Sequence, residues 1–196
     1  MPRRRSSPAS WRGREVPVTP LHMAGAWAFH LLTRRQGSFV AATLGSVLID
    51  LEVPVYWVVT GFDKFQSRGL MHSLLGVFTF NVAVAFLVYR YGMPRLWRWA
   101  MRRWPEARTY RFAGDDVRLD TGGVPMFYLS AVAGGLSHLW LDLPTHSFNP
   151  LLWPYTADPL NLVPFSEWPP WEIGFNAALL VILAVMLWKH WGIRAR

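Results

Sequence analysis

The segment 69–89 constrains the fold of this chain more than any other feature of its sequence. It is apolar throughout, and its only ionisable residue is His72. An α-helix needs about 20 apolar residues to cross the hydrocarbon core of a bilayer. In lipid every backbone polar group must be hydrogen-bonded within the protein, so a crossing segment of this kind is helical. The sequence therefore predicts an all-α membrane protein.

Four further apolar segments extend this prediction to a polytopic membrane helical bundle of about four to five membrane-embedded helices. They are residues 21–33, 38–62, 124–141 and 173–188. The first is too short to span comfortably and fits a buried half-span. The second contains Asp50 and Glu52, with Pro54 just beyond. Because proline inside a helix removes a hydrogen bond and clashes with the preceding turn, we expect a break or kink near residues 50–54.

Arginine supplies nearly all the positive charge of the chain, whose formal net charge is +8. A basic balance also occurs in nucleic-acid-binding proteins, but these arginines flank apolar segments, which is the membrane pattern. The lipid bilayer is therefore a better supported partner than nucleic acid, and no motif identifies a protein partner. Twelve tryptophans agree, since the indole ring prefers the interface between lipid and water. Cysteine is absent, which excludes disulfides and thiolate metal ligands.

The distribution of arginine also predicts the domain organisation and the orientation in the membrane. Residues 1–18 are predicted as a basic disordered tail, followed by a single membrane-embedded helical domain over 19–191. The predicted loop 92–123 is rich in arginine, whereas the predicted loop 143–172 has no Lys or Arg. The positive-inside rule places the first loop in the cytoplasm and the second outside it. If 21–33 crosses the membrane, the arginines at 3–5 lie outside too, which is at odds with that rule.

Three potential metal ligands follow one another at intervals of four residues near the end of an apolar segment. His138, Asp142 and His146 would share one face of a continuous helix. Pro144 disfavours helical geometry at the residue before it, so we expect His146 just past the helix end, still converging with the other two. A single His/Asp pair at this spacing can also be a plain hydrogen bond. The triplet alone does not separate a structural role from metal binding.

Ionisable residues in the other apolar segments favour the metal-binding interpretation. His22 opens the first segment, His72 opens another, and Asp50 and Glu52 interrupt a third. Such residues are rare inside membranes and usually functional. Imidazole nitrogens and carboxylate oxygens suit a divalent metal, with zinc favoured and manganese or iron as alternatives. The structural alternative for the two acids is a salt bridge, for which Arg68 is the available basic partner.

Arg68 lies four residues before His72, so a helix would place both on one face. An arginine beside a metal cluster is typical of a clamp for a phosphate or carboxylate group. The alternative is an arginine at a helix end that extends its charge to the membrane surface.

Four short stretches are similar to motifs of a known family. They are V-T-P-L-H (18–22), G-S-V-L-I-D-L-E (45–52), R-G-L-M-H-S-L-L-G (68–76) and S-H-L-W-L-D-L-P-T-H (137–146). They resemble elements of a bacterial family of predicted membrane-bound metal-dependent hydrolases, the group that includes the LexA-binding inner-membrane hydrolase-like proteins. The resemblance covers about residues 17–165 and implies a multi-pass protein of the bacterial cytoplasmic (inner) membrane.

The resemblance also implies a set of metal ligands in this sequence. They are His22, Asp50, His72, His138 and Asp142, with Glu52 and His146 as further candidates. The chain departs from the family pattern at Ile49, where proline is usual, and at Glu52, where aspartate is common. The longer side chain of Glu52 needs a different backbone position to reach the same ion.

These features predict a membrane-embedded metal-dependent hydrolase. The metal would lower the pKa of a bound water, Asp50 or Glu52 would ligate it or act as general base, and Arg68 would hold an anionic group. The expected substrate is a small-molecule or lipid-like ester or phosphoester, because a site at this depth suits an amphiphile. The phosphoester assignment rests on Arg68 and on a fainter similarity of the His-x-x-x-Asp pair to zinc-dependent phospholipase C.

Two other classes of protein use the same residue types. A metal-ion or proton transporter needs ionisable groups spread through the depth of the membrane, whereas an enzyme needs them clustered at one depth with an open coordination position. A regulatory membrane protein without hydrolytic activity would use a bound ion only to stiffen the bundle.

Overall fold

The chain forms five helices and no strand over the residues that the structure, a computed structural model, describes. Those residues are 19–32, 37–60, 68–104, 123–146, 149–156, 160 and 169–192. The helices are α1 (Thr19–Leu32), α2 (39–60), α3 (Leu74–Arg103), α4 (Gly123–Asp142) and α5 (Pro169–Gly192). The predicted all-α bundle is confirmed. The tail 1–18, predicted to be disordered, lies outside the described residues.

Helix α2 changes its hydrogen bonding where the sequence predicts an interruption. The α-helix Phe39–Val47 is capped by the Ser38 hydroxyl, which accepts a hydrogen bond from the Ala41 amide. The chain then tightens into a 3₁₀ turn over Leu48–Leu51 and resumes as an α-helix over Glu52–Thr60. Pro54 lies in the first turn of that second α-helix, where a missing N–H costs little.

Helix α3 begins later and ends later than its apolar segment predicts. Ser73 caps it by accepting a hydrogen bond from the Gly76 amide, so the helix starts at Leu74 rather than at residue 69. It continues to Arg103, and residues 93–103 of the basic segment predicted as a loop are therefore helical. Residues 105–122 of that predicted loop lie outside the described residues.

Three of the helices are long and apolar enough to cross a membrane. The qualifying stretches are Phe39–Tyr56, Leu74–Arg103 and Gly123–Asp142. Helix α5 contains a shorter apolar stretch, Ile173–Met186, and α1 has only 14 residues. These lengths agree with the predicted number of membrane-embedded helices, of which α1 is the shortest.

The core of the bundle is the contact between α2 and α4, which small residues bring close together. A Cβ on Gly45 would clash with the carbonyl oxygen of Ala131, and one on Gly134 would clash with that of Ala42. Lipid tails are as apolar as side chains, so helices in membranes associate through such close packing. The seam fixes the distance between the two helices that carry most of the candidate ligands.

Antiparallel packing places several chain segments at one end of the bundle. Val77 of α3 packs against Gly135 of α4, while Tyr89 lies against Phe127, with 5.0 Å between the ring centroids. The start of α3 is therefore level with the end of α4. Trp171, near the start of α5, donates a hydrogen bond from Nε1 to the carbonyl of Pro144, just beyond α4. We call this the α4-exit end.

Candidate metal centre

Four segments of the chain bring imidazoles and carboxylates together at the α4-exit end. His22 lies in the first turns of α1, Asp50 in the 3₁₀ turn of α2, and His72 in the turn before α3. His138 and Asp142 are one turn apart at the end of α4. The convergence predicted from the sequence is present. These side chains are buried or nearly so, with Asp50 the most accessible.

The carboxylate of Asp142 lies at the centre of this cluster, and its two oxygens face different partners. Oδ1 is 3.4 Å from Nε2 of His22 and 3.3 Å from Nδ1 of His146. Oδ2 is 3.4 Å from Nε2 of His138 and 3.6 Å from Nε2 of His72. His146 lies just after the turn that ends α4, as the position of Pro144 predicts. Its Nδ1 also forms a hydrogen bond with the Thr145 hydroxyl.

Asp50 completes a ring of four ligand-type side chains. Its Oδ1 is 3.3 Å from Nε2 of His72 and 3.4 Å from Nε2 of His138. Both imidazoles therefore lie between the carboxylates of Asp50 and Asp142. The rings of His22 and His138 are also close, with 4.3 Å between their centroids.

Buried polar atoms of this ring make no hydrogen bond to any described residue. They are Nε2 of His72, Nε2 of His138 and both carboxylate oxygens of Asp142. Such atoms are rare in folded proteins, because an unpaired buried polar group costs free energy. Their separations of 3.3 to 3.6 Å exceed ordinary hydrogen-bond lengths. They match ligands that share one ion, since metal–ligand bonds of about 2.1 Å place neighbouring ligand atoms about 3 to 3.5 Å apart.

The residues present fit a divalent cation in their chemistry as well as their spacing. Ligand atoms lie within 4.8 Å of one another in two groups of three, which share His138. The groups are His22, Asp50 and His138, and His72, His138 and Asp142. Nitrogen and carboxylate oxygen ligands without thiolate suit zinc, manganese or iron.

Glu52 lies on the opposite edge of the His72 imidazole from the cluster. Its Oε1 is 2.6 Å from Nδ1 of His72 and accepts hydrogen bonds from the backbone amides of Gly69 and His72. Its Oε2 accepts one from the amide of Met71. The sequence interpretation of Glu52 as a ligand or general base therefore does not match this geometry, because both oxygens are already engaged. The longer side chain is used to fasten the 69–72 turn and to orient His72.

Arg68 reaches the cluster from a turn and not from a helix. Residues 68–73 form bends and turns, so the predicted helical stacking of Arg68 on His72 is wrong. Ser73 and the bonds to Glu52 hold this stretch outside α3. Nη1 of Arg68 lies 3.1 Å from Oδ2 of Asp142, and the side chain is 9% exposed. The arginine is an ion-pair partner of the central carboxylate and is not extended into solvent.

Asn149 is a site residue that sequence reasoning missed. It is 2% exposed, its Oδ1 accepts a hydrogen bond from Nη1 of Arg68, and its Nδ2 donates to the carbonyl of His146. Its own carbonyl accepts a hydrogen bond from the Leu160 amide. The available signal in the sequence was its position, three residues after His146 and immediately before Pro150. A polar residue there is expected either to be exposed or to form hydrogen bonds.

A sequence model of the family described as YdjM inner membrane protein matches residues 19–195 of the chain. The chain belongs to that family. The YdjM family is the group of inner-membrane metal-dependent hydrolase-like proteins that the four motifs resemble, so this expectation is confirmed. The expected location in the inner membrane is confirmed as well. No curated protein and no solved structure matches the chain.

Membership of the YdjM family and the buried His/Asp cluster together fit a metal hydrolase. They establish an inner-membrane protein with membrane-spanning helices and with residues that can hold a metal ion. The match covers all four segments that supply the cluster.

Proposed function

We propose that this protein is a membrane-embedded metal-dependent hydrolase, acting on an ester or phosphoester of an amphiphilic or lipid-like substrate. The observation that carries the proposal is the group of buried nitrogen and oxygen atoms of His72, His138 and Asp142, which lie at ligand spacing and form no hydrogen bond with one another. Asp50 adds a carboxylate to the same group. A bound divalent ion, zinc before manganese or iron, would supply an acidified water molecule and polarise the ester oxygen.

The charge of the cluster supports a divalent cation. Asp50, Glu52 and Asp142 are three carboxylates, while Arg68 is the one guanidinium in contact with them among the described residues. With neutral histidines this leaves an excess of two negative charges in a largely buried site. Uncompensated buried charge is costly, and a divalent ion would balance the excess.

The proposed metal ligands divide around Asp142. His72 and His138 lie near Oδ2, and His22 and His146 lie near Oδ1. Asp50 contacts His72 and His138, and it also groups with His22 and His138 at ligand spacing. These side chains would hold one divalent ion, or two as in enzymes that hydrolyse phosphate esters. The ligand set is therefore compatible with one ion or with two.

The remaining residues have separate roles in this proposal. Asp50 is the candidate general base, because it is the most accessible carboxylate that faces the ring, at 10% side-chain exposure. Arg68 holds an anionic substrate group: Nη1 is engaged by Asp142 and Asn149, and a guanidinium carries further N–H donors on its other nitrogens. Glu52 positions His72, since a carboxylate behind a ligating imidazole fixes its tautomer and orientation.

The depth of the cluster favours an enzyme over a transporter. Among the described residues, the buried acidic and imidazole side chains all belong to the cluster at the α4-exit end. A transport path requires such groups along the membrane depth, whereas hydrolysis requires them at one place. The location of the cluster in an inner-membrane protein, with the half-exposed Leu51 next to Asp50, supports a lipid-like substrate.

Metal content separates this proposal from a purely structural cluster. The full chain, purified in detergent and dialysed against zinc or manganese, is analysed by inductively coupled plasma mass spectrometry beside His138→Gln and His30→Gln. His30 is an imidazole of α1 outside the cluster and serves as the matched control. We expect one or two ions per chain in the wild type and in His30→Gln, and at least a tenfold weaker affinity in His138→Gln. A wild type that binds neither metal would refute the metal site.

Hydrolysis is tested with paired substrates of one chemistry. Short-chain and long-chain alkyl esters of p-nitrophenyl phosphate, and the matching carboxylate esters, are offered to the metal-loaded protein. We expect faster turnover of the long-chain member of the preferred pair, and loss of turnover in Asp50→Asn even when excess metal keeps the site loaded. A metal-loaded protein that cleaves none of them while the ion raises its melting temperature would favour the regulatory alternative.

A further inference from the structure

The last eleven residues of α3, Met93–Arg103, form a helix whose residues are partly or fully exposed. Tyr89 packs against Phe127, and α4 begins at Gly123, four residues before Phe127. Because the two helices are antiparallel, Gly123 is about level with Met93, four residues after Tyr89. Helix α3 has 30 residues and is about 45 Å long, against about 30 Å of hydrocarbon. No residue of Met93–Arg103 is buried. This segment therefore extends past the bundle, at the end opposite the metal centre.

The segment carries arginines on one face and exposed apolar side chains beside them. Arg95, Arg98 and Arg102 recur at intervals of three and four residues, which places them on one face. Trp99, one turn after Arg95, packs against Trp104 with 5.4 Å between the ring centroids, and Trp99, Trp104 and Leu96 are each more than half exposed. Apolar side chains left open to water are unfavourable, whereas the boundary between lipid tails and headgroups accommodates them.

The arginine side chains turn back toward the membrane-spanning part of α3. Nη1 of Arg95 donates a hydrogen bond to the carbonyl of Tyr91, and Nε of Arg98 donates to that of Pro94. If the hydrocarbon core begins at Leu74, its thickness of about 30 Å ends near these arginines. Their charges are thus held at that boundary. This is the depth of lipid phosphates in the adjacent leaflet.

No acidic residue lies within Met93–Arg103 itself. Between Asp63 and Glu106 the chain contains no Asp or Glu. Arg102 and Arg103 are exposed at the end of the helix, where cations are favourably placed. The excess positive charge and the exposed tryptophans both complement an anionic lipid surface.

We propose that Met93–Arg103 binds the phosphate headgroups of anionic phospholipids in the leaflet opposite the metal centre. The arginines contact the phosphates, and Leu96, Trp99 and Trp104 lie at the boundary with the acyl chains. Each arginine near an anionic surface contributes about a fivefold gain in affinity. The segment anchors α3 at a fixed depth and is independent of whether the protein hydrolyses anything.

The test measures lipid selectivity of the full chain in a non-ionic detergent. Phosphatidylglycerol and phosphatidylcholine with the same acyl chains are titrated in, and bound lipids are counted by native mass spectrometry. The wild type is expected to bind phosphatidylglycerol at least tenfold more tightly, and a rise from 0.1 to 1 M salt should remove most of this preference. Equal affinity for the two lipids would overturn the proposal.

Charge variants assign the preference to this helix. Arg95→Gln/Arg98→Gln/Arg102→Gln should lose the preference, whereas Arg3→Gln/Arg4→Gln/Arg5→Gln, with the same loss of charge, should keep it. Arg95→Lys/Arg98→Lys/Arg102→Lys should retain most of it, which gives a reading even if the glutamine variant fails to fold. Preference lost equally in both glutamine variants would show a diffuse charge effect and refute the assignment.

Discussion

Oε1 of Glu52 lies 2.6 Å from Nδ1 of His72, on the edge of the imidazole that faces away from the metal centre. With Nδ1 donating to Glu52, the Nε2 lone pair is directed at Asp50 and Asp142. The same carboxylate accepts hydrogen bonds from the amides of Gly69 and Met71. One acid therefore fixes both the tautomer of a candidate ligand and the turn that carries it.

Glu52→Gln should weaken metal binding without removing it. The amide keeps the shape and one acceptor, but it loses the charge that orients His72, and such changes typically cost 10–100-fold in affinity. Competition with a chelator of known affinity measures the difference on the purified protein. If Glu52 were a direct ligand, the loss should instead equal that of His138→Gln. If it were only structural, melting temperature would fall while metal affinity stayed the same.

Asp142→Asn should abolish metal binding and any hydrolysis while the bundle stays folded. Asparagine keeps the shape of the central side chain and removes the charge that faces the imidazoles. It also leaves Arg68 with Asn149 as a partner but without a counter-ion, so stability should fall by about 3 kcal/mol or more.

The double variant Asp142→Asn/Arg68→Gln separates these two effects. Removing both charges should restore much of the lost stability, because the guanidinium that had lost its carboxylate partner is removed as well. Metal binding should stay absent. Thermal melting and metal analysis of the single and double variants in the same detergent give both readouts. Unchanged metal content in Asp142→Asn would remove the centre of the proposed site and favour the regulatory alternative.

Asn149→Leu should raise KM more than it lowers kcat. The asparagine holds the guanidinium of Arg68 in place and does not contact the proposed metal ligands Asp50, His72 or His138. Loss of this contact should leave metal content near the wild-type level and lower the affinity for anionic substrates by about tenfold. Steady-state kinetics with a phosphoester and with an uncharged ester distinguish the roles, since only the anionic substrate should be affected.

The helical bundle could be predicted because lipid restricts the structures that a crossing chain can adopt. The ends of the helices, in contrast, depend on local hydrogen bonds. The late start of α3 comes from the Ser73 cap and from the hold of Glu52 on the preceding turn, and neither contact follows from hydropathy. The segment after Tyr89 was predicted as a loop because a high density of arginines is typical of loops between membrane helices. Arginine, leucine and methionine are nevertheless good helix formers.

Most of the candidate site could be predicted because burying histidine or aspartate in a membrane costs free energy, so such residues stand out in an apolar sequence. The role of Glu52 could not, since it depends on which edge of His72 the carboxylate reaches. Asn149 gave a weaker signal, because a neutral amide carries less cost than a charge. Small residues such as Gly45 and Gly134 indicate the close approach of α2 and α4, but they lie in no pattern of candidate ligands.

Gly134→Ala should disturb the metal centre although residue 134 is not itself a candidate ligand. Its Cβ would clash with the backbone carbonyl of Ala42, which forces α2 and α4 apart one turn before His138. Overpacking of this kind costs about 1–3 kcal/mol and should weaken metal binding as well. Gly174→Ala is the matched control, because a Cβ there meets nothing within 4 Å. Equal melting temperatures and metal affinities for the two variants would contradict the role of the seam.

The metal centre should open away from the cytoplasm. Residues 149–156 lie at the same end as the cluster, because the Leu74 amide donates to the carbonyl of Leu151 and Arg68 bonds to Asn149. This end lacks Lys and Arg over 143–172, while the opposite end carries the arginines of α3, and positive charge marks the cytoplasmic side.

Thiol labelling of spheroplasts tests this orientation, and the natural absence of cysteine gives an unlabelled background. Tyr155, which is 91% exposed, and Ala107 are replaced one at a time by cysteine and treated with a membrane-impermeant maleimide. Tyr155→Cys should be labelled in intact spheroplasts, and Ala107→Cys only after the membrane is permeabilised. The opposite pattern would reverse the topology and place the candidate metal centre on the cytoplasmic side. It would also put the arginine-rich end of α3 outside, against the distribution that positive charge normally follows.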